Sequence, residues 1–171
     1  MNRLIYEECG VFGIWLPGKE AVGTTIIGLI ALQHRGQESA GICWCHEGEI
    51  MHKRGMGLVE DVFRGFDHSS VDACAAIGHV RYSTTGKSTL VNAQPLTFSG
   101  RLGPMALAHN GNLVNSPEIR TQLEQQGSIF QTSTDSEVVA HLLARSTTTD
   151  LDGALVSALG QVRGAYAMLI L

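Results

Sequence analysis

Strand-like and helical segments fall into separate groups along this 171-residue chain, and that grouping leaves few folds open. Residues 10–16 read as a short buried strand, rich in β-branched and aromatic side chains. Residues 21 to about 33 read as a helix, with Val22, Ile26, Leu29, Ile30 and Gln33 near one face and Gly36 just past its end. Residues 41–45 and 50–53 form the arms of a hairpin around "HEGE", with Gly48 taking the positive φ. A short helix is expected over 58–66 and a further strand over 74–82, followed by a polar loop, "STTGKSTLVNAQP". Residues 104–109 are again strand-like and run into Asn110-Gly111-Asn112, a turn signal. Ser116-Pro117 opens a helix with a cap, closed near Gly127. Thr134-Asp135-Ser136-Glu137 reads as a capping box ahead of a helix over 138–145. A last helix over 151–162 leads through Gly164 into "AYAMLIL".

Grouped in this way, the elements predict antiparallel sheets covered by helices, an α+β layout rather than a βαβ alternation. The length fits one domain with a real core, and no repeat, linker or low-complexity tract divides it. The final seven residues are too apolar for an ordinary terminus, so the chain reads as cut off inside a sheet.

Composition removes several classes of function. A net charge of -4 argues against a nucleic-acid or anionic-membrane surface. No apolar run reaches the length of a spanning helix, and "MNRLIYEEC" lacks the apolar core of a secretory signal. Four cysteines are too few for a disulfide scaffold, which points to a reducing, cytoplasmic setting. Cys43-Trp44-Cys45, with Cys74, could serve a metal, but the C-x-C has no second pair to complete it.

Chemistry-bearing residues interrupt the apolar segments at element ends. Cys9 stands behind two acidic residues and directly before the first strand; taken alone, it is a small core residue opening that strand. His34-Arg35-Gly36-Gln37, His79-Val80-Arg81-Tyr82, His109-Asn110-Gly111-Asn112 and Asp135 each have an equally plain reading, as helix caps, strand exits and turns. As a set they hold a thiol, an arginine, an aspartate and an amide beside a glycine. A cation for a carboxylate, a carboxylate for an ammonium and amide donors for an oxyanion suit an α-amino acid with a reactive side-chain carbonyl.

The motifs "EECGVFGIW", "LQHRGQESAGI", "IGHVRYSTTG" with "NAQP", "MALAHNGNLVN" and "GSIFQTSTDSEVVAHLL" span nearly the whole chain. Through them the sequence resembles the glutaminase domain of the glutamine phosphoribosylpyrophosphate amidotransferases, which open purine synthesis. Related amidotransferases that make glucosamine 6-phosphate share the arginine, Asn-Gly and aspartate motifs. They usually carry Trp and His where this chain has Tyr82 and Thr85. A catalytically silent module of the same fold is a further alternative, as is a metal-binding protein using Cys43, Cys45 and Cys74.

The resemblance implies an N-terminal nucleophile hydrolase, a four-layer αββα sandwich of antiparallel sheets, incomplete here at its C-terminus. Residues 1–8 would be a propeptide and 9–171 the glutaminase domain, with the phosphoribosyltransferase domain absent. Catalysis would rest on Cys9, Asn110 and Gly111, and substrate binding on Arg81 and Asp135 with Arg35, Gly36, Tyr82 and Thr84. His79 and His109 would be structural. The resemblance implies no metal or cofactor in this segment. It implies magnesium for the missing domain and an iron–sulfur cluster as an option for the full-length protein. The partners would be glutamine and, through the missing domain, phosphoribosylpyrophosphate, in a homo-oligomer of the full-length protein, without nucleic acid or membrane.

Overall fold

The computed structural model describes residues 9–17, 20–82 and 88–171. Strand β1 (Gly10–Trp15) leads through helix α1 (Ala21–Leu32) and a 3-10 turn (Gln33–Arg35) to the hairpin of β2 (Ser39–His46) and β3 (Glu49–Met56). A single helical turn, α2 (Val59–Val62), precedes β4 (Ala75–Arg81). The second half runs β5 (Leu96–Gly100), β6 (Gly103–Leu113), α3 (Ser116–Gln125), α4 (Glu137–Arg145), α5 (Leu151–Leu159) and β7 (Gly164–Ile170). The strands form a four-stranded sheet in the order β1-β4-β2-β3 and a three-stranded sheet in the order β5-β6-β7. Every pairing within them is antiparallel.

Three apolar layers hold the two sheets and their helices together. On one side Ala21, Val22, Ile26 and Leu29 of α1 pack on Ile42, Ala76 and Val80. On the other, Ile119, Leu123, Val139, Leu143 and Ala154 of α3–α5 cover Leu107 and Leu113 of β6. Between the sheets lie Cys43, Ile77, Ala106 and Ala108, flanked by Val11, Ile50 and Leu169. This is the helix–sheet–sheet–helix sandwich that the α+β reading and the resemblance imply. Of the two halves of the C-x-C, Cys43 is buried in the inter-sheet layer, and burial pushes its thiol up to about 12.

Several local expectations give way to longer-range pairing. Asn110-Gly111-Asn112 is not a turn: it continues β6, in register with Ala167, Tyr166 and Ala165 of β7. The partner strand lies more than fifty residues on, beyond the reach of a local turn signal. The capping box does not form either. The Glu137 carboxylate instead accepts from the backbone N–H groups of Gln131 and Thr132 and from the Thr132 hydroxyl. Ser136, at the N-cap, makes no capping bond with its side chain. No side chain caps α3; Asn115 ties its amide to Gln161 O and Arg163 N, pinning the approach to β7.

The helix expected over 58–66 shrinks to α2, and Gly65 turns the chain at φ +70°. β5 is a strand that the sequence did not announce, five residues whose pairing with β6 supplies what their composition lacks. The hairpin forms as expected, with Gly48 at φ +82° and Glu47 also at positive φ. The 151–162 helix ends at Leu159 and is capped by Asp150, which accepts from Gly153 N. β7 is the outer strand of its sheet and pairs with β6.

Candidate active site

The site lies where the ends of β4 and β6, one from each sheet, come together. Cys9 precedes β1, whose Gly10 faces Val80 of β4, so the thiol arrives beside the end of β4. There Tyr82 N–H donates to Cys9 Sγ at 3.4 Å, and the Sγ–H to Tyr82 O distance is 3.3 Å. Arg35, from the turn after α1, donates to Cys9 O at 3.2 Å. Gly36 lies against the end of β4 so closely that a Cβ would stand 2.6 Å from the Arg81 carbonyl carbon. Arg35 and Gly36 therefore sit behind the thiol and brace it rather than line the cavity.

Arg81 is almost fully buried, and its Nη1 donates to Glu38 Oε1 at 2.7 Å. Glu38 N–H in turn donates to Arg81 O, so this glutamate grips the arginine by side chain and backbone. Asp135, on the loop before α4, accepts Leu113 N–H at 2.8 Å through Oδ2 and faces His109 Nδ1 at 3.4 Å through Oδ1. Burial works to raise its pKa, but these donors, with the backbone of Ser136, hold the carboxyl below the usual range. Asp135 is thus ionised at neutral pH. His109 Nδ1 faces this ionised oxygen, while its Nε2 is buried and without a partner among the described residues.

Gly111 carries φ +139°, and a Cβ there would meet Ala165 O at 2.2 Å and Tyr166 Cα at 2.6 Å. The paired β7 backbone beside it therefore leaves room only for a glycine at this position. Cys9, Asn110, Gly111, Asn112, Tyr166 and their neighbours line a groove of about 440 Å³. A second, much smaller hollow of about 20 Å³ adjoins Cys9 and is lined by Arg81, Tyr82, Gln94, His109, Gly111, Thr134 and Asp135. A separate cavity of about 360 Å³ between β5 and α4 contains none of the expected residues.

Six expected residues therefore meet: Cys9, Arg81, Tyr82, Asn110, Gly111 and Asp135. Thr84 lies outside the described residues. Burial pushes the Cys9 thiol up, further than the Tyr82 N–H and the Arg81 charge draw it down. Within the chain as it stands, the thiol is accordingly protonated at neutral pH and is a weak nucleophile. His79 is buried between the sheets and driven down to about 3, so it stays neutral; its Nε2–H donates to His109 O at 3.0 Å. Sequence reasoning missed the parts played by Glu38 and Gln94. Both stand inside quoted motifs, "LQHRGQESAGI" and "NAQP", where only the pairing of distant segments gives them a task.

Among the described residues, no three His, Cys, Asp or Glu side chains are grouped to hold a metal ion. Cys74 is exposed, whereas Cys43 is buried. No described helix is long and apolar enough to cross a membrane.

Residues 62–170 match a family model described as a glutamine amidotransferase domain. The chain is 51% identical over 166 residues to an amidophosphoribosyltransferase of Bacillus subtilis (strain 168), covering 96% of this chain and 35% of that one. It is 45% identical to an amidophosphoribosyltransferase of Lacticaseibacillus casei, here covering 96% of this chain and 85% of the relative. A solved structure of glutamine phosphoribosylpyrophosphate amidotransferase from B. subtilis, complexed with ADP and GMP, superposes with a TM-score of 0.86 at 49% identity. That match covers 94% of this chain and 34% of the solved one, so the chain spans about a third of the length of these B. subtilis relatives.

Proposed function

The chain belongs to the glutamine amidotransferase family, and from that premise we propose that it hydrolyses the side-chain amide of glutamine to glutamate and ammonia, with Cys9 as nucleophile. Cys9 Sγ attacks the amide carbon of glutamine. The oxygen of the resulting tetrahedral intermediate is held by the Asn110 side-chain amide and the Gly111 N–H. Collapse expels ammonia, protonated as it leaves, and forms a γ-glutamyl thioester; water then attacks the thioester and releases glutamate and the free thiol. Arg81 takes the α-carboxylate and Asp135 the α-ammonium, while Tyr82 and Thr84 complete the pocket and Arg35 and Gly36 brace Cys9.

What carries this reading is the meeting of a thiol, a buried cation, an ionised carboxylate and Gly111 around one small hollow, with Asn110 lining the groove that shares Cys9 and Gly111 with it. The raised pKa of the Cys9 thiol calls for a base. Removal of residues 1–8 as a propeptide would supply one, the α-amine of Cys9, whose ordinary pKa of about 7.7–8.0 leaves it partly unprotonated at neutral pH.

In the complete enzyme, the ammonia would displace pyrophosphate from phosphoribosylpyrophosphate on a separate domain to give phosphoribosylamine. Magnesium would be needed there, any iron–sulfur cluster would use cysteines outside this segment, and the assembly would be a homo-oligomer. The reading rests on the 51% identity with the B. subtilis amidophosphoribosyltransferase and on Tyr82 in place of the tryptophan usual in the glucosamine type.

Three measurements test it. A glutamine-like diazoketone is expected to label Cys9 alone, Cys9→Ala to abolish glutamine hydrolysis, and mass spectrometry to find Cys9 as the first residue of the active protein. Labelling of Cys43, Cys45 or Cys74 instead, or full activity in protein that keeps residues 1–8, would overturn the reading.

A further inference from the structure

Alternation along an antiparallel strand sends the N–H and C=O groups of successive residues to opposite edges. Ala106 exchanges both of its backbone bonds with Leu171, so Ala106, Ala108, Asn110 and Asn112 face β7. Leu107, His109, Gly111 and Leu113 face the opposite edge. On that edge β5 pairs with β6 only as far as Leu96, opposite Leu107. Beyond this point no strand among the described residues lies beside this edge of β6, yet most of its groups have partners. His109 N–H donates to Gln94 Oε1 at 2.7 Å, His109 O accepts from His79 at 3.0 Å, and Leu113 N–H donates to Asp135 at 2.8 Å. Gly111 lies between the two satisfied amides.

Gln94 is 5% exposed, and its other end donates to Ser136 Oγ at 3.2 Å, one residue from Asp135. One side chain therefore fixes both the strand that carries Asn110 and Gly111 and the loop that carries Asp135. Resting on the glutaminase reading above, we propose that Gln94 is a positioning residue for the oxyanion donors. It takes the place of a strand at His109, so that among the described residues the Gly111 N–H is the amide of this edge left for the substrate. The cost of losing it falls on the transition state, because the ground-state amide leans on these donors far less than the oxyanion does.

The test compares three variants of the purified protein. Gln94→Met keeps the length but offers no acceptor to His109. Gln94→Asn keeps the amide but falls one methylene short. Gln94→Glu keeps the acceptor and lets the Ser136 hydroxyl donate instead. Met and Asn are expected to lower kcat for glutamine hydrolysis by up to roughly 10²-fold, the scale of a small misplacement, and by more than any rise in KM that comes from loosening the Asp135 loop. Their rates of Cys9 alkylation by iodoacetamide, a displacement that forms no oxyanion, are expected to match wild type. Glu is expected to restore kcat to within about threefold. If Gln94→Met fails to fold, the contrast between Asn and Glu decides.

Unchanged kcat in folded Met or Asn variants, a change confined to KM, or a Glu variant no better than Asn would overturn the proposal while leaving the glutaminase reading in place. A wild-type protein with neither glutamine hydrolysis nor labelling of Cys9 would overturn both.

Discussion

The Asp135 carboxylate accepts the Leu113 amide through one oxygen and faces the His109 imidazole through the other, so it already supports the end of β6 before any substrate arrives. Asp135→Asn keeps an oxygen for Leu113 and removes the charge. Since a hydrogen bond to a charged group contributes about 1.5–3 kcal/mol, KM for glutamine is expected to rise roughly ten- to hundredfold while the folded state persists; steady-state kinetics with a thermal melt separates the two. Asn110→Ala is expected to act on turnover instead, lowering kcat by about 10²–10³ as the loss of one oxyanion donor does. A change in KM alone would remove Asn110 from that role. Local pattern offered Cys9, Arg81, Asn110 and Asp135 only as chemistry-bearing types at element ends, each with an equally plain reading, and the resemblance carried by the quoted motifs singled them out. Glu38 and Gln94 stayed illegible. Each acts on a backbone or side chain that another segment supplies, Glu38 across 43 positions to Arg81 and Gln94 across 42 to Ser136.

β4 and β6 belong to different sheets, and the His79 bond to His109 O ties them together through an otherwise apolar layer close to the site. His79 stays neutral, since burial drives its pKa from 6.5 to about 3. Below about pH 6.5 the unfolded chain binds a proton at this position that the native state refuses, so the stability is full above that pH and declines as the pH falls towards 3. Urea midpoints taken from pH 7 to pH 4 are expected to fall, and to fall less steeply in His79→Leu, though that variant starts lower for want of the bond to His109. The same strand explains a second expectation. Gly111→Ala would push a methyl group into the β7 backbone at a φ of +139°, a strain of about 1–3 kcal/mol, so its thermal midpoint should drop even with no substrate present. The helices and most strands were legible from periodicity and punctuation. The extent of β6 was not, because Asn-Gly reads as a turn until β7 is there to pair with it.

Seen whole, the molecule places the proposed nucleophile Cys9 and Arg81 beside one sheet and the proposed amide donors Asn110 and Gly111 on the other, so the spacing between the sheets sets the geometry of the site. The buried centre of the layer between them is built largely of small side chains: Ala106, Ala108 and Cys43 beside Ile77. The outer layer under α4 is built from larger ones, among them Leu107, Leu142 and Leu143. Two substitutions of comparable thermodynamic cost should therefore have different consequences. Leu143→Ala opens a cavity away from the site and is expected to cost about 2–5 kcal/mol, with kcat per folded molecule unchanged. Ala106→Leu inserts bulk between the sheets, for which overpacking typically costs about 1–3 kcal/mol. It is expected to depress kcat severalfold or more by moving Cys9 away from Gly111. Active-site titration with the diazoketone counts the folded sites, and turnover per titrated site gives the comparison. If Leu143→Ala lost turnover per site as strongly as Ala106→Leu, the two sheets would not be acting as separate platforms for the two halves of the site.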